Sequence, residues 1–286
     1  LFLAEAIGVR QGLCAGPCFD RIMMRIDQLL VQRGLAGTRS QAQRLIADGV
    51  RWRSGGEWRQ VAKNGDDVAL DAEIELLDDA EAQYVSRGGL KLAGALAHLK
   101  LAVTGQLCLD LGQSTGGFTD CLLQGGARHV VGVDVGFGQL NDGLRSNTRV
   151  TCIERVNARN LTLDLVQEAL EQSDDQSDAP PEFDGFDLIV GDLAFISQTL
   201  VLPAAVPMLK DSGSVLMLVK PQFELQPGQV GKGGIVTDQS MFAVVEKRIR
   251  AAHKALGLKV QDYLPSSIHG GDGNQEFFIY SKRVPE

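Results

Sequence analysis

Two hydrophobic rhythms divide this chain. From position 106 onward, short and nearly unbroken apolar runs recur: Gln106–Asp110, His129–Asp134, Arg149–Glu154, Phe186–Asp192 and Ser214–Lys220. Strands buried on both faces read this way, because neither face meets water. Between the runs the apolar positions fall at helical spacing. The spacing predicts a helix from Leu90 carrying Leu92, Leu96 and Leu99, and another over Leu161–Leu170. Two more are predicted over Ile196–Leu209, despite Pro203 and Pro207, and from Asp238 or Ser240 to Leu256. Two closing runs, Lys259–Leu264 and Gln275–Tyr280, read as strands joined by a short turn, which suggests an antiparallel strand at the end. Strands alternating with helices require a mostly parallel sheet covered on both sides, an α/β class.

The first 80 residues follow a different pattern. Arg25–Gly34 and Thr38–Gly49 read as short amphipathic helices, each closed by glycine and the second capped by Thr38 or Ser40. Strands are predicted at Val50–Arg53 and Glu73–Leu77. This is a small α+β unit over 23–80, separated from the α/β domain over 81–286 by the acidic stretch Asp78–Gln83. Residues 1–22 match no pattern. The native start is expected near Met23–Met24, with the preceding stretch an extension, expected to be disordered. Glu171–Glu182, polar and broken by two prolines, reads as a surface loop without chemistry.

The α/β domain is organised around Asp110-Leu-Gly-Gln-Ser-Thr-Gly-Gly-Phe-Thr-Asp120. An apolar strand runs into glycines and then into a helix, which lets backbone approach a ligand and offers free N–H groups. About twenty residues on, a second strand ends in Asp134, placed to hold the two hydroxyls of a ribose. The dinucleotide fingerprint Gly-x-Gly-x-x-Gly is absent, and a pyrophosphate would be repelled by Asp110. A cofactor with a cationic centre and no phosphate would not be, which favours S-adenosylmethionine over a nicotinamide dinucleotide. Asp110, Asp134, Asp192 and Lys220 all end predicted strands and should converge on one rim of the sheet.

Composition narrows the partners. The net charge of −8 argues against indiscriminate nucleic-acid binding. Yet Met24–Lys63 carries eight basic residues against three acids, a local basic face suited to a directed contact. Five scattered cysteines do not make a disulfide framework. Cys14 and Cys18 lack the partners of a zinc site, so no metal is expected. No run approaches the roughly 18 apolar residues of a membrane helix, and no signal peptide is recognisable, so a cytoplasmic protein is expected.

At this point two resemblances enter. The pattern Arg-x-Asp-x-x-Leu…Arg-Gly…Ser-Arg-x-x-Ala-x-x-Leu-Ile-x-x-Gly-x-Val is present almost in full over residues 25–53, with Thr38 at the serine position and Val50 directly after Gly49, and resembles the S4 RNA-binding domain. That resemblance makes Arg39, Gln43, Arg44, Arg51 and Arg53 the RNA-contact candidates. Ser86–Lys91, Asp110–Asp120, Gly191–Ser197, Val219–Glu224 and Gly273–Phe278, in that order, resemble the TlyA/hemolysin A family, which joins an S4 domain to an FtsJ-like ribose methyltransferase domain. The resemblance covers about Met24 to Arg283.

It implies a Rossmann-like seven-stranded methyltransferase sheet, S-adenosylmethionine as cofactor, and 2′-O-methylation of ribosomal RNA, with a cytidine in ribosomal subunits as target. It also implies a tetrad of Lys91, Asp192, Lys220 and Glu276, with Lys220 as the base, aided by burial or by nearby Lys91. For the cofactor it implies Asp110, Gly112, Ser114, Thr115, Gly116, Gly117 and Phe118 in the loop, Asp134 and Val135 after the second strand, Asn157 and Ala158 near adenine, and Asp192. The sequence Asp192-Leu-Ala-Phe lacks the prolines that base-amine methyltransferases place there, which favours ribose. Two rivals remain: a cytolysin, suggested by the hemolysin label, and an RNA-binding protein without catalysis.

Overall fold

The computed structural model describes residues 22–77, 83–172 and 183–284. The expected N-terminal extension up to residue 21, most of the acidic linker and most of the proline-broken loop lie outside these residues, as do Cys14 and Cys18.

The N-terminal unit begins with a short strand not anticipated from sequence, β1 (Met23–Arg25), followed by helices α1 (Ile26–Gln32) and α2 (Arg39–Gly49). The Thr38 hydroxyl caps α2 by accepting from the Gln41 N–H. Then come β2 (Val50–Arg53), β3 (Arg59–Gln60), β4 (Asp67–Ala69) and β5 (Glu73–Leu76). β2 lies between β3 and β5, all antiparallel, while β1 pairs with β4. Ile26, Leu29, Leu30, Leu45 and Val50 close a small core of their own.

The larger domain starts with α3 (Arg87–Leu99), which begins three residues before the predicted Leu90. β6 (Leu107–Leu111), α4 (Gly117–Gln124), β7 (His129–Val133), a short α5 (Asp142–Arg145) and β8 (Val150–Ile153) follow. Next are α6 (Leu163–Gln172), β9 (Phe186–Gly191), α7 (Gln198–Ala205), β10 (Leu209–Val219), the short α8 (Pro221–Glu224), α9 (Ser240–Ala255), β11 (Leu258–Pro265) and β12 (Phe277–Arg283). Seven strands form one sheet in the order β11-β12-β10-β9-β6-β7-β8. β6 through β10 run parallel, and only β12 runs against them. Leu107, Leu109 and Leu111 point to one face, under α6, α7 and α9. Cys108 points to the other, under α3 and α4. Both faces are therefore covered, which is why these strands read as continuous apolar runs.

Two departures matter for the site. The closing strands are not a tight hairpin: an 11-residue connection, 266–276, separates them, and β12 is inserted between β10 and β11. Being antiparallel, β12 starts at the rim where the parallel strands end. Phe277 pairs with Val219, so Glu276 arrives beside Lys220. The sheet order also reverses between β6 and β9, the place where open α/β sheets leave a ligand crevice.

Candidate active site

A cleft of about 1110 Å³ opens at that reversal, at the C-terminal ends of β6, β7, β9 and β10. One end is glycine-lined. Gly112 has φ +82, and a Cβ there would sit 2.9 Å from the backbone oxygen of Asp192. Only glycine allows the β6 and β9 loops to approach so closely. Ser114, Thr115, Gly117 and Phe118 continue this wall.

Beside it lies the loop after β7. Each Asp134 carboxylate oxygen accepts a backbone N–H at 2.7 Å, one from Ser114 and the other from Gly136, which locks the two loops together. Val135, Asn157 and Ala158 line the cleft beside it. The Asn157 side-chain oxygen accepts from the Arg159 N–H.

Asp110 and Gly116 behave differently from the expectation. Neither is on the cleft wall. Gly116, at φ +96, faces Leu140 and Leu144 and turns the chain into α4. Asp110 lies within β6, on its α3/α4 face, and is fully buried. One oxygen accepts from the Thr119 hydroxyl at 2.7 Å, and Thr119 in turn accepts from the Gln113 amide at 2.9 Å. The other oxygen, Oδ1, is buried without a hydrogen-bond partner. A strand ending in an acid predicts the rim; the alternation of side chains decides that this one goes under the loop.

Burial pushes the Asp110 carboxyl up to about 7, with Asp192 and Asp134 adding to the push and the Thr119 hydrogen bond opposing it. The sign follows from linkage. The unfolded chain releases this proton near the usual value of 3.8, the folded chain only near 7. Stability therefore falls as pH rises from about 4 to about 7, by at most on the order of 4 kcal/mol. Asp110→Asn is expected to gain on the parent over that window in the cofactor-free protein. Thermal melts at pH 5 and pH 8 check it, and an unchanged gap between the two proteins would contradict the assignment.

The four tetrad candidates come together as two ion pairs. Lys220 Nζ lies 2.5 Å from Asp192 Oδ1, on the cleft wall. Lys91 Nζ lies 2.6 Å from Glu276 Oε2, behind the wall, with both side chains less than a tenth exposed. Burial pushes the Glu276 carboxyl above its ordinary range, and Asp192 adds to that. Lys91 first and Lys220 second oppose it, so all four charges feel one another. Each lysine is thus compensated by an acid.

Sequence reasoning named no aromatic at the mouth. The structure places Phe195, 90% exposed and at φ +63, on the cleft rim, with its ring 5.1 Å from that of Phe223. The signal was present, since Phe195 lies in the Gly191–Ser197 motif three residues after Asp192.

The basic face of the N-terminal unit is less open than its charge count implied. Arg39 pairs with buried Asp27 at 2.8 Å, an acid that Arg25 also holds and that is drawn down to about 2 chiefly by the Arg25 hydrogen bond. Arg51 pairs with Glu75 and Arg53 with Glu73, and both guanidiniums lie over the Trp58 ring. Gln43 is exposed on α2, as expected; Arg44, on the same helix, is half-buried. The Arg51–Glu75 and Arg53–Glu73 pairs are exposed and contribute little, so a phosphate can replace either carboxylate at low cost.

Sheet order, glycine-lined cleft and S4-like unit together define a methyltransferase of the FtsJ-like class. The family described as FtsJ-like methyltransferase matches residues 84–283, and the S4 domain matches 24–49. The 16S/23S rRNA (cytidine-2′-O)-methyltransferase TlyA of Mycobacterium tuberculosis is 40% identical over 261 residues, 90% of this chain and 88% of its own length. Hemolysin A of Brachyspira hyodysenteriae is 32% identical over 90% of this chain and 99% of its own. A solved structure from Streptococcus thermophilus that carries the hemolysin name is 37% identical, covers 92% of this chain and 90% of its own, and superposes with a TM-score of 0.67. The chain belongs to the TlyA/hemolysin A family of FtsJ-like methyltransferases. Among the described residues no helix is long and apolar enough to cross a membrane.

Proposed function

We propose that this protein methylates the 2′-hydroxyl of a cytidine in ribosomal RNA, using S-adenosylmethionine, with Lys220 as the base. The observation that carries this reading is the Asp192–Lys220 pair on the cleft wall, backed by Lys91–Glu276. The relative from Mycobacterium tuberculosis supports the choice of cytidine and of both subunits' RNA.

The residues present fit the cofactor. Gly112 lets the β6 and β9 loops close together at one end of the cleft, and Asp134, on its wall, offers carboxylate oxygens to two hydroxyls. Gly112, Ser114, Thr115, Gly117 and Phe118 would hold its amino-acid end, and Val135, Asn157 and Ala158 its adenine. When bound, it supplies a methyl group on a sulfonium, ready for displacement.

A ribose hydroxyl is a poor nucleophile until its proton is removed as the bond forms. The Lys220 amine, once neutral, takes that proton. Asp192 then neutralises the ammonium so produced, at 2.5 Å on the cleft wall. Lys91 and Glu276 balance each other throughout, so the tetrad enters the step carrying the single negative charge of Asp192 and leaves it neutral once Lys220 holds the proton. Phe195, backed by Phe223, offers an exposed ring on which the target base can stack. The N-terminal unit supplies phosphate contacts that place the RNA, without reading its sequence.

The test is transfer of labelled methyl from S-adenosylmethionine to purified ribosomal subunits, followed by digestion to nucleosides. Label is expected in 2′-O-methylcytidine. Label on a base would keep the cofactor and overturn the ribose mechanism.

A further inference from the structure

The last residue of the Val219–Glu224 motif has no part in the chemistry above, yet it is among the most buried acids in the protein. Glu224 ends α8 and is 4% exposed. One carboxylate oxygen accepts from the Ser197 hydroxyl at 2.5 Å, and the other accepts from the Gln198 backbone N–H at 3.0 Å. Both partners belong to the start of α7, where Ser197 is the N-cap. The Glu224 backbone carbonyl accepts from Arg248 of α9. Burial pushes the carboxyl up, while Ser197, Gln198 and Arg248 pull it down.

The position of this contact gives it meaning. Ser197 lies five residues after Asp192, on the loop leaving β9. Glu224 lies four residues after Lys220, on the segment leaving β10. These two segments meet at three places: the Asp192–Lys220 pair, the Phe195–Phe223 rings and the Ser197–Glu224 hydrogen bond. The first two are partly open to the cleft. The third is closed off from water, where a hydrogen bond to a carboxylate is strong and leaving the partner unmatched is costly. The buried contact therefore sets the spacing that the other two inherit.

We infer that Glu224 is a positioning residue for the proposed methyl transfer, clamping the β9 and β10 segments so that Asp192 and Lys220 keep their geometry. It rests on the functional reading above for its consequence, and on the structure alone for the clamp. Glu224 does not touch substrate. It acts through Ser197 and Gln198 on one side and through its own four-residue helix on the other.

Two variants separate a clamp from mere filling of space. Glu224→Gln can accept from the Gln198 N–H and donate to the Ser197 oxygen. Glu224→Leu fills a similar volume and does neither. Circular dichroism and melting confirm that each is folded. In single-turnover transfer to ribosomal subunits, Glu224→Leu is expected to lose about 30-fold or more and Glu224→Gln about fivefold or less, with cofactor Kd within about threefold of the parent in both. A second readout needs no turnover: the rate at which an amine-reactive reagent labels Lys220, mapped by mass spectrometry. It should change about threefold or more in Glu224→Leu and stay near the parent in Glu224→Gln. A folded Glu224→Leu protein with parental labelling of Lys220 overturns the inference, whatever its activity. A parent that transfers no methyl to ribosomal RNA overturns the functional reading instead, and the labelling rates still decide the clamp.

Discussion

Lys220→Ala is expected to slow methyl transfer by about a thousandfold, the middle of the range for loss of a positioned general base. The loss should fall on the chemical step. Lys220 lies at the Asp192 end of the cleft, and the loops expected to hold the cofactor are closed by contacts it does not make, such as Asp134 to Ser114 and Gly136. Cofactor Kd and RNA Kd should therefore stay within about threefold, a pattern that marks an interaction made only in the transition state. Removing the lysine also leaves Asp192 without its partner beside Glu276, which stays paired with Lys91. Single-turnover kinetics, beside calorimetric titration of cofactor, decide it. A variant retaining a tenth of the activity would move the base elsewhere, and Asp192 would be the next residue to test.

The parallel strands were legible because burial on both faces removes the alternation of polar residues, leaving runs such as Phe186–Gly191 with nothing else to be. The cleft was legible for a related reason: a glycine-rich turn between an apolar strand and a helix has few structural alternatives. What was not legible depends on contacts distant in sequence. Nothing local announces that β12 slides between β10 and β11, and that insertion alone brings Glu276 to Lys220. The burial of Asp110 turns on one step of side-chain alternation in β6, below what a strand boundary read from sequence resolves. The arginines of the N-terminal unit were visible as charge, but their carboxylates on β5 were not visible as partners, because pairing across β2 and β5 joins positions about twenty residues apart. Glu224 lay in plain view within a motif. Its role emerges only when the loop from β9 folds over it.

The second large effect is expected on binding rather than chemistry. Asp134→Ala should weaken cofactor binding by about a hundredfold or more, since charge-assisted hydrogen bonds to a ribose contribute about 1.5–3 kcal/mol each. The carboxylate does two things at once. It faces the cleft after β7, and it accepts the N–H groups of Ser114 and Gly136, so it also holds the glycine-lined loop against its neighbour. Asp134→Asn separates these. The amide oxygen can still accept one backbone N–H, but its NH2 cannot accept the other, and the charge is gone. It should bind cofactor more weakly than the parent and more tightly than the alanine variant. Because ribose contacts act equally before and during methyl transfer, saturating cofactor should restore most of the kcat in both variants. Calorimetric titration with S-adenosylmethionine, followed by rates at saturation, tests both halves. Unchanged binding in Asp134→Ala would remove the ribose from this side of the cleft, whereas lost binding with kcat still depressed at saturation would mean that the loop tie to Ser114 also shapes the reacting geometry.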